Sequence, residues 1–358
     1  MTNKIFQTDL FGVKEFIISK KFPSTRYQGS KSKIINWIKI NVENLYFNSV
    51  LDIFGGTGAV SYMFKSIGKK VIYNDYLTFN SIIANALIKN NDIKLSNESL
   101  EFILKKHSDI DYPSIIEDNF EDIYFTEEEN RWLDVTITNI NLLEDEFEKS
   151  IALFALFQSC ITKRPYNLFH RKNLYVRNAE VNRTFGNKKT WDTSFEHHFR
   201  KFVIEANNSV FNNFLNNKVY NVDCLDLEES CDLVYLDPPY ISKTGVGVNY
   251  FSFYHFLEGL VDYDNWKLRI DYNSKHKQLL TSPSLWCDKQ KINKAFDELI
   301  SKHQKSIIVI SYRDDGIPSI PQICEILDRY NKNYEIKYLD YKYVLSSKKS
   351  REVLIITD

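Results

Sequence analysis

The stretch SVLDIFGGTGAVSYMFKSIGKKVIYND, residues 49–75, decides how this chain folds. SVLDIF (49–54) is a short, mostly apolar run, GGTG (55–58) follows at once, and AVSYMFKSIG (59–68) carries apolar residues at helical spacing up to a glycine stop. KKVIYND (69–75) is the next run of strand character. Strand, glycine turn, helix and strand make the unit of a parallel, doubly wound sheet. Only 11 glycines serve 358 residues, and three stand in this one turn, which points to unusual backbone angles or a close approach there. Open α/β sheets bind ligands at such strand ends. No GK[ST] follows, which excludes a Walker loop, and Ala59, Val60 and Ser61 after Gly58 do not meet the GxGxxG dinucleotide pattern. The turn therefore suits a ligand without a phosphate to grip. Asp75, about twenty residues on, stands where such folds place a carboxylate for ribose hydroxyls, although an Asp after a strand also serves as a helix cap.

Working outward, KVYNVD (218–223), CDLVYLD (231–237) and SIIVISY (306–312) read as further strands, the last two apolar enough to be covered on both faces. YLTFNSIIANALIKNN (76–91) and LWCDKQKINKAFDELISKH (285–303) have helical spacing. YEIKYLDYKYVLS (334–346) and EVLIITD (352–358), either side of a Ser/Lys turn, read as a β-hairpin closing the sheet. Between Leu95 and Asn217 the alternation stops. The expected architecture is a mixed, mainly parallel α/β core from residues 1–94 and 218–358, with an inserted, mainly helical domain at 95–217.

The hydrophobic content of 43% is that of an ordinary globular protein. MTNKIFQTDL (1–10) lacks a basic start before an apolar run, and no stretch approaches the roughly 18 apolar residues of a membrane span, so the cytoplasm is the expected location. Cys160, Cys224, Cys231, Cys287 and Cys324 form no CxxC pair and no metal-ligand spacing, which supports neither a disulfide framework nor zinc. Net charge is −1, yet the charge is uneven: 17 acidic against 5 basic residues from Asn91 to Ser150, then 10 basic against 3 acidic from Ile161 to Lys201. An acidic supporting half precedes a basic one.

DIFGGTG (52–58) and YND (73–75) resemble the first two motifs of the class I S-adenosylmethionine-dependent methyltransferases, and RYQGSK (26–31) is similar to the N-terminal motif of the Dam-type, α-group N6-adenine DNA methyltransferases. The resemblance implies a Rossmann-like core and S-adenosyl-L-methionine as cofactor. It places Tyr27, Gly29 and Lys31 at the methionine part, Asp52, Phe54, Gly55, Gly56 and Gly58 in the turn beside it, and Asp75 on the ribose. Asp223, followed by Cys224, falls where it expects the contact to the cofactor's adenine. A Lys can pair with the methionine carboxylate, and an aromatic face attracts a sulfonium. On its own, RYQGSK reads as a helix N-terminus capped by Ser30.

YLDPPY (235–240) sets an Asp and two prolines behind a strand, in a chain of 8 prolines. Alone, it is a stiff turn. Beside the other motifs it matches the family's reaction centre, where methylating an exocyclic amine demands that a delocalised lone pair be made available. A carboxylate, Asp237, and the carbonyl of Pro238 can both accept from the NH2 group and turn its lone pair toward the methyl. Pro239 adds rigidity, and Tyr240 can stack on an extruded base. No metal is called for, since a sulfonium is already activated. Methylation at cytosine C5 needs a Cys after a Pro, and none of the five cysteines follows one. Protein-glutamine methylation uses a similar motif beginning with Asn, and the Asp here favours a nucleic-acid base.

The basic stretch 162–191 interleaves Lys163, Arg164, Arg171, Lys172, Arg177, Arg183, Lys188 and Lys189 with Asn and aromatic residues, in the place where Dam-type enzymes carry their target-recognition domain. Such side chains suit phosphates and base edges of double-stranded DNA, and Lys243, in the loop after DPPY, suits a further phosphate. His197 and His198 read as surface residues. The expected activity is site-specific N6-adenine DNA methylation by a monomer, with any partner restriction endonuclease encoded separately, because no nuclease motif is present. The alternatives are N4-cytosine methylation by the same pocket chemistry and a nucleic-acid-binding protein without catalysis.

Overall fold

The computed structural model describes residues 4–8, 14–18, 20–180, 188–243, 245, 247–282, 284–341 and 350–358. Its strands are β1 (Lys4–Thr8), β2 (Lys14–Ile18), β3 (Ser49–Asp52), β4 (Lys70–Asn74), β5 (Lys218–Tyr220), β6 (Leu233–Leu236), β7 (Ile241–Ser242), β8 (Ile307–Arg313), β9 (Gly316–Ile317), β10 (Tyr334–Tyr341) and β11 (Ser350–Thr357). Seven of them form one sheet in the order β10-β11-β8-β6-β3-β4-β5. From β8 to β5 neighbours run parallel, while β11 lies antiparallel to both β8 and β10. This is the mainly parallel, Rossmann-like sheet with a closing hairpin that the sequence pattern predicts.

Alternation along each strand feeds two apolar layers. Val50, Val71, Tyr235 and Val309 belong to one, and Leu51, Ile72, Val234 and Ile308 to the other. A strand covered on both faces has no position for solvent, which is why LVYL of β6 is buried throughout.

The insertion continues the first layer rather than hanging from it. Every residue from Ser150 to Thr162 of the helix Glu146–Thr162 is buried. That helix packs between Thr78–Ala84 of the core and the insertion's own Phe195–Ser209, and its Phe154, Leu156 and Phe157 join the cluster that includes Val50 and Tyr235. Each such side chain taken from water contributes about 1.5–3 kcal/mol, so the inserted helices and the sheet stabilise one another.

Some elements are shorter than their patterns. The helical stretch 76–91 is an α-helix over Thr78–Ala84 continued by a π turn at Asn85–Lys89, and 285–303 splits into a 3-10 turn, Leu285–Cys287, and a helix, Ile292–Lys302. The expected strand 218–223 stops at Tyr220: beyond it the Val222 N–H donates to Asn74 Oδ1 and its carbonyl accepts from Asn74 Nδ2, so the backbone pairs with a side chain rather than along the sheet. Among the described residues no helix is long and apolar enough to cross a membrane.

Candidate active site

The glycine turn leaves β3 and is tied to β4: Gly55 N–H donates to the Asn74 carbonyl at 2.9 Å, and Gly58 N–H to Gly55 at 2.8 Å. Gly55 has to lack a side chain, since a Cβ there would lie 2.0 Å from the ring of Tyr73. Asp75 grips the same turn, its Oδ2 accepting from Gly56 N–H at 2.8 Å while Oδ1 accepts from Leu77 N–H at 2.8 Å and Asn80 Nδ2 at 3.1 Å. It thus ties the glycine turn to the segment leading into the helix Thr78–Ala84. Asp52 is buried, and Ser61 Oγ donates to its Oδ2 at 2.6 Å, but Oδ1 is sealed in without a partner. Burial, reinforced by the charges of Asp237 and Asp75, pushes the Asp52 carboxyl up to about 7 despite the Ser61 hydrogen bond.

From the N-terminal side, RYQGSK folds into a turn whose Ser30 caps the short helix Lys31–Lys33, so the capping reading of that motif is met as well. Gly29 adopts φ +85°, and a Cβ there would lie 2.4 Å from the Tyr250 hydroxyl. Tyr27 stacks on Tyr254 at 4.7 Å and on Tyr250 at 5.6 Å between ring centres. Lys31, 6% exposed, reaches Asp237 Oδ1 at 3.2 Å and Glu352 Oε2 at 3.3 Å, and it also donates to the Tyr240 hydroxyl. All three ammonium hydrogens have acceptors within the chain. Lys31 lines the same cavity as the glycine turn, and within the chain its partners are Asp237, Glu352 and Tyr240. Burial alone would lower the Lys31 ammonium, but Asp237 and Glu352 outweigh it and hold the group above its ordinary range.

At the end of β6, Asp237 receives the Tyr240 hydroxyl on Oδ1 at 3.0 Å, the same oxygen that meets Lys31. Oδ2 accepts no hydrogen bond among the described residues, nor does the carbonyl of Pro238. Burial raises the Asp237 carboxyl above its ordinary range, and Lys31 and Tyr240 offset only part of that rise.

These turns wall one cavity of about 310 Å³. Tyr27, Gly29, Lys31, Asp52, Phe54, Gly55, Gly56, Asp75, Asp223, Cys224, Asp237, Pro238, Pro239 and Tyr240 all line it. Gly58 does not: at φ +79° it is the residue before the helix Ala59–Ser66, and its part is to turn the chain. Three contributors escape the sequence reading. Tyr250, which opens the helix Tyr250–Val261, lines the cavity, as do Thr281, Ser282, Ser284, Leu285, Trp286 and Cys287, and Glu352 of β11 meets Lys31 without lining it. Only Glu352 leaves a sequence signal, as an acid at a position that shares a sheet face with Leu354 and Ile356.

The basic stretch divides. Lys163 and Arg177 are buried and both meet Glu129 at 2.7 Å, which fixes them inside the insertion. Arg164 is 1% exposed and donates to the carbonyls of Leu168, Tyr124 and Arg171 and to the Asn173 side chain, so it holds the loop 164–173 from within. For these three the DNA-contact expectation is corrected, because a side chain buried in the interior cannot reach a phosphate outside it. Arg171, Lys172, Lys188, Lys189 and Lys243 are exposed, and Arg183 lies outside the described residues. His198 is buried with Nε2 at 2.8 Å from the Thr190 carbonyl, which corrects its surface reading, whereas His197 is exposed.

Known proteins resemble this chain over most of its length. Residues 27–314 match the D12 class N6 adenine-specific DNA methyltransferase family. The chain is 29% identical over 342 residues to the Type II methyltransferase M2.HphI of Haemophilus parahaemolyticus, covering 93% of this chain and 95% of that protein. It is 27% identical to the Type II methyltransferase M.FokI of Planomicrobium okeanokoites, over 88% of this chain and 50% of that protein. With the Type II methyltransferase M.NlaIII of Neisseria lactamica the identity is 25%, over 88% of this chain and 91% of its relative. The matched region takes in the glycine turn, Asp75 and DPPY, the turns that build the cavity, and the chain belongs to the D12 class of N6 adenine-specific DNA methyltransferases.

Proposed function

We propose that this chain takes its methyl group from S-adenosyl-L-methionine and that Asp237 Oδ2 and the Pro238 carbonyl grip the N6 amine of an adenine extruded from double-stranded DNA. One observation carries the reading: Oδ1 of Asp237 is already occupied by Lys31 and Tyr240, which leaves Oδ2 and a neighbouring carbonyl as two acceptors beside the same cavity as the glycine turn. Two acceptors are what an NH2 group needs if its lone pair is to be directed.

The wall of the cavity fits the donor. Asp52 Oδ1, buried without a partner, suits a cationic amino group, and Asp75 with Asp223 and Cys224 lines the part we assign to the nucleoside. Tyr27, Gly29, Phe54, Gly55 and Gly56 complete that wall. When bound, S-adenosylmethionine supplies a methyl group activated on sulfur. The chain's part is positional: Pro238 and Pro239 stiffen the turn, Tyr240 offers its ring to the base while its hydroxyl fixes Asp237, and Asp237 is placed to hold the proton that the amine loses.

Arg171, Lys172, Lys188, Lys189 and Lys243 are the cations we assign to phosphates, with 95–217 as the recognition domain. The motif order, glycine turn before the basic insertion and DPPY after it, supports the Dam-type, α-group subclass. The Type II relatives support a place in restriction and modification. We further propose that the chain acts in the cytoplasm as a monomer, beside a separately encoded endonuclease. The test is to incubate the protein with methyl-labelled S-adenosylmethionine and DNA, digest to nucleosides and separate them. Label in N6-methyladenine is expected; label in N4-methylcytosine, or none, overturns the reading.

A further inference from the structure

We propose that Glu352 is a positioning residue for methyl transfer: it holds the Lys31 ammonium against Oδ1 of Asp237 and so keeps Oδ2 turned to the target amine. The inference rests on the reading of Asp237 as the acceptor of that amine.

β11 alternates its side chains between the two apolar layers. Leu354 and Ile356 fall in one, Val353 and Ile355 in the other. Glu352 shares the face of Leu354 and Ile356 and is 1% exposed, so an apolar residue would be the cheaper occupant. A buried ion pair rarely stabilises a fold more than well-packed apolar groups would, which makes stability a poor reason for this carboxylate. Two acids and one ammonium meet here: Lys31 lies 3.2 Å from Asp237 and 3.3 Å from Glu352. The cluster keeps a net negative charge when all three groups are ionised.

A two-point clamp explains that composition. With Glu352 on one side, the Lys31 Nζ is fixed to a single oxygen of Asp237, the oxygen that Tyr240 also reaches. Were Glu352 neutral, Asp237 would be the only carboxylate left to Lys31, and the ammonium would be free to straddle both oxygens and compete with the incoming amine. Glu352 therefore acts on the base through Lys31 and Asp237. It has no contact of its own with the substrate in this reading.

The test compares Glu352→Gln with wild type in single-turnover methyl transfer, donor titration, DNA titration and thermal unfolding, with Asp237→Ala and Lys31→Met as companions. Glu352→Gln is expected to slow transfer roughly ten- to a hundredfold, the scale on which outer partners tune a functional group, with both dissociation constants within about threefold of wild type. Its unfolding midpoint should be equal or higher. On the Lys31→Met background, Glu352→Gln should cost nothing further, since the clamp is already gone. A wild-type rate in Glu352→Gln, or a loss that adds in full on the Lys31→Met background, overturns the proposal. Glu352→Leu, which matches the apolar face, repeats the test if Gln is not tolerated, and a folded, full-speed Leu variant overturns it equally. If Asp237→Ala keeps its activity, the reading of the site itself has failed; if Asp237→Ala is dead and Glu352→Gln is not slowed, only this inference has.

Discussion

Lys31 Nζ lies 3.2 Å from Asp237 Oδ1, so the turn that begins the site and the turn that follows β6 meet in one partly buried ion pair. The contact makes the pocket a coupled object. A change in the first turn is felt at the carboxylate of the second, because a buried charge left without its partner is costly.

Asp237→Ala is expected to lower methyl transfer by about 10²-fold or more, the range for a positioned proton acceptor, while donor affinity stays close to wild type. Label incorporation and calorimetric titration separate the two. An active Ala variant ends the assignment.

The rate should have an acid limb above the ordinary carboxylate range of about 4, because burial raises the Asp237 carboxyl and only its ionised form accepts from the amine. Lys31 and Tyr240 touch Asp237, and Tyr235, Tyr250, Asp52 and Glu352 are the other titratable groups coupled to it. Of these Lys31 is the cation, and it favours the charged carboxylate. Lys31→Met should therefore move the limb to higher pH. Single-turnover rates between pH 5 and pH 9 check the direction, about neutral being where such groups are tuned to work; a limb that stays or moves down removes Lys31 from this role.

Asp52 binds its proton more tightly in the fold, up to about 7, than in the unfolded chain, where about 3.9 is ordinary. Its contribution to stability is present below about 4 and is lost as pH rises toward 7, a tenfold change in proton affinity corresponding to about 1.4 kcal/mol. Asp52→Asn should accordingly melt higher than wild type at pH 8 and bind S-adenosylmethionine more weakly. Thermal unfolding at pH 5 and pH 8, with donor titration, tests both halves.

The two kinds of basic residue should respond differently. Reversing Arg171 and Lys172 to Glu should weaken DNA binding and flatten the slope of log affinity against log salt by about 2 or more, since each phosphate contact contributes about 0.9. Arg164→Ala should instead lower the stability of the fold, on the order of 3 kcal/mol, by leaving buried carbonyls without their donor. An unchanged salt slope in the first variant would return that pair to ordinary surface.

Much of the fold could be read from local pattern. Strand alternation, the glycine turn and the closing hairpin are all short-range signals, and they point to a mainly parallel sheet, whereas the order of its strands came from the structure. The cavity's lining was legible where a turn carries its own chemistry, as DPPY, Asp52 at the end of β3 and Asp75 after β4 do. It was not legible at Tyr250 or Trp286, whose neighbours come from distant segments, and at Glu352 it showed only as an acid on an apolar face.

The basic stretch shows the limit most plainly. Composition counts Lys163, Arg164 and Arg177 with Arg171 and Lys172, yet the first three face Glu129 and buried carbonyls while the last two face solvent. Sequence by itself determined the sheet, the cavity's glycine turn and the position of Asp237, because backbone propensity and apolar period are properties of neighbouring residues. Which oxygen of Asp237 is free, which cations are exposed and which acids meet Lys31 were decided only by the tertiary structure. Those are distances between segments far apart in the chain, and no local pattern encodes them.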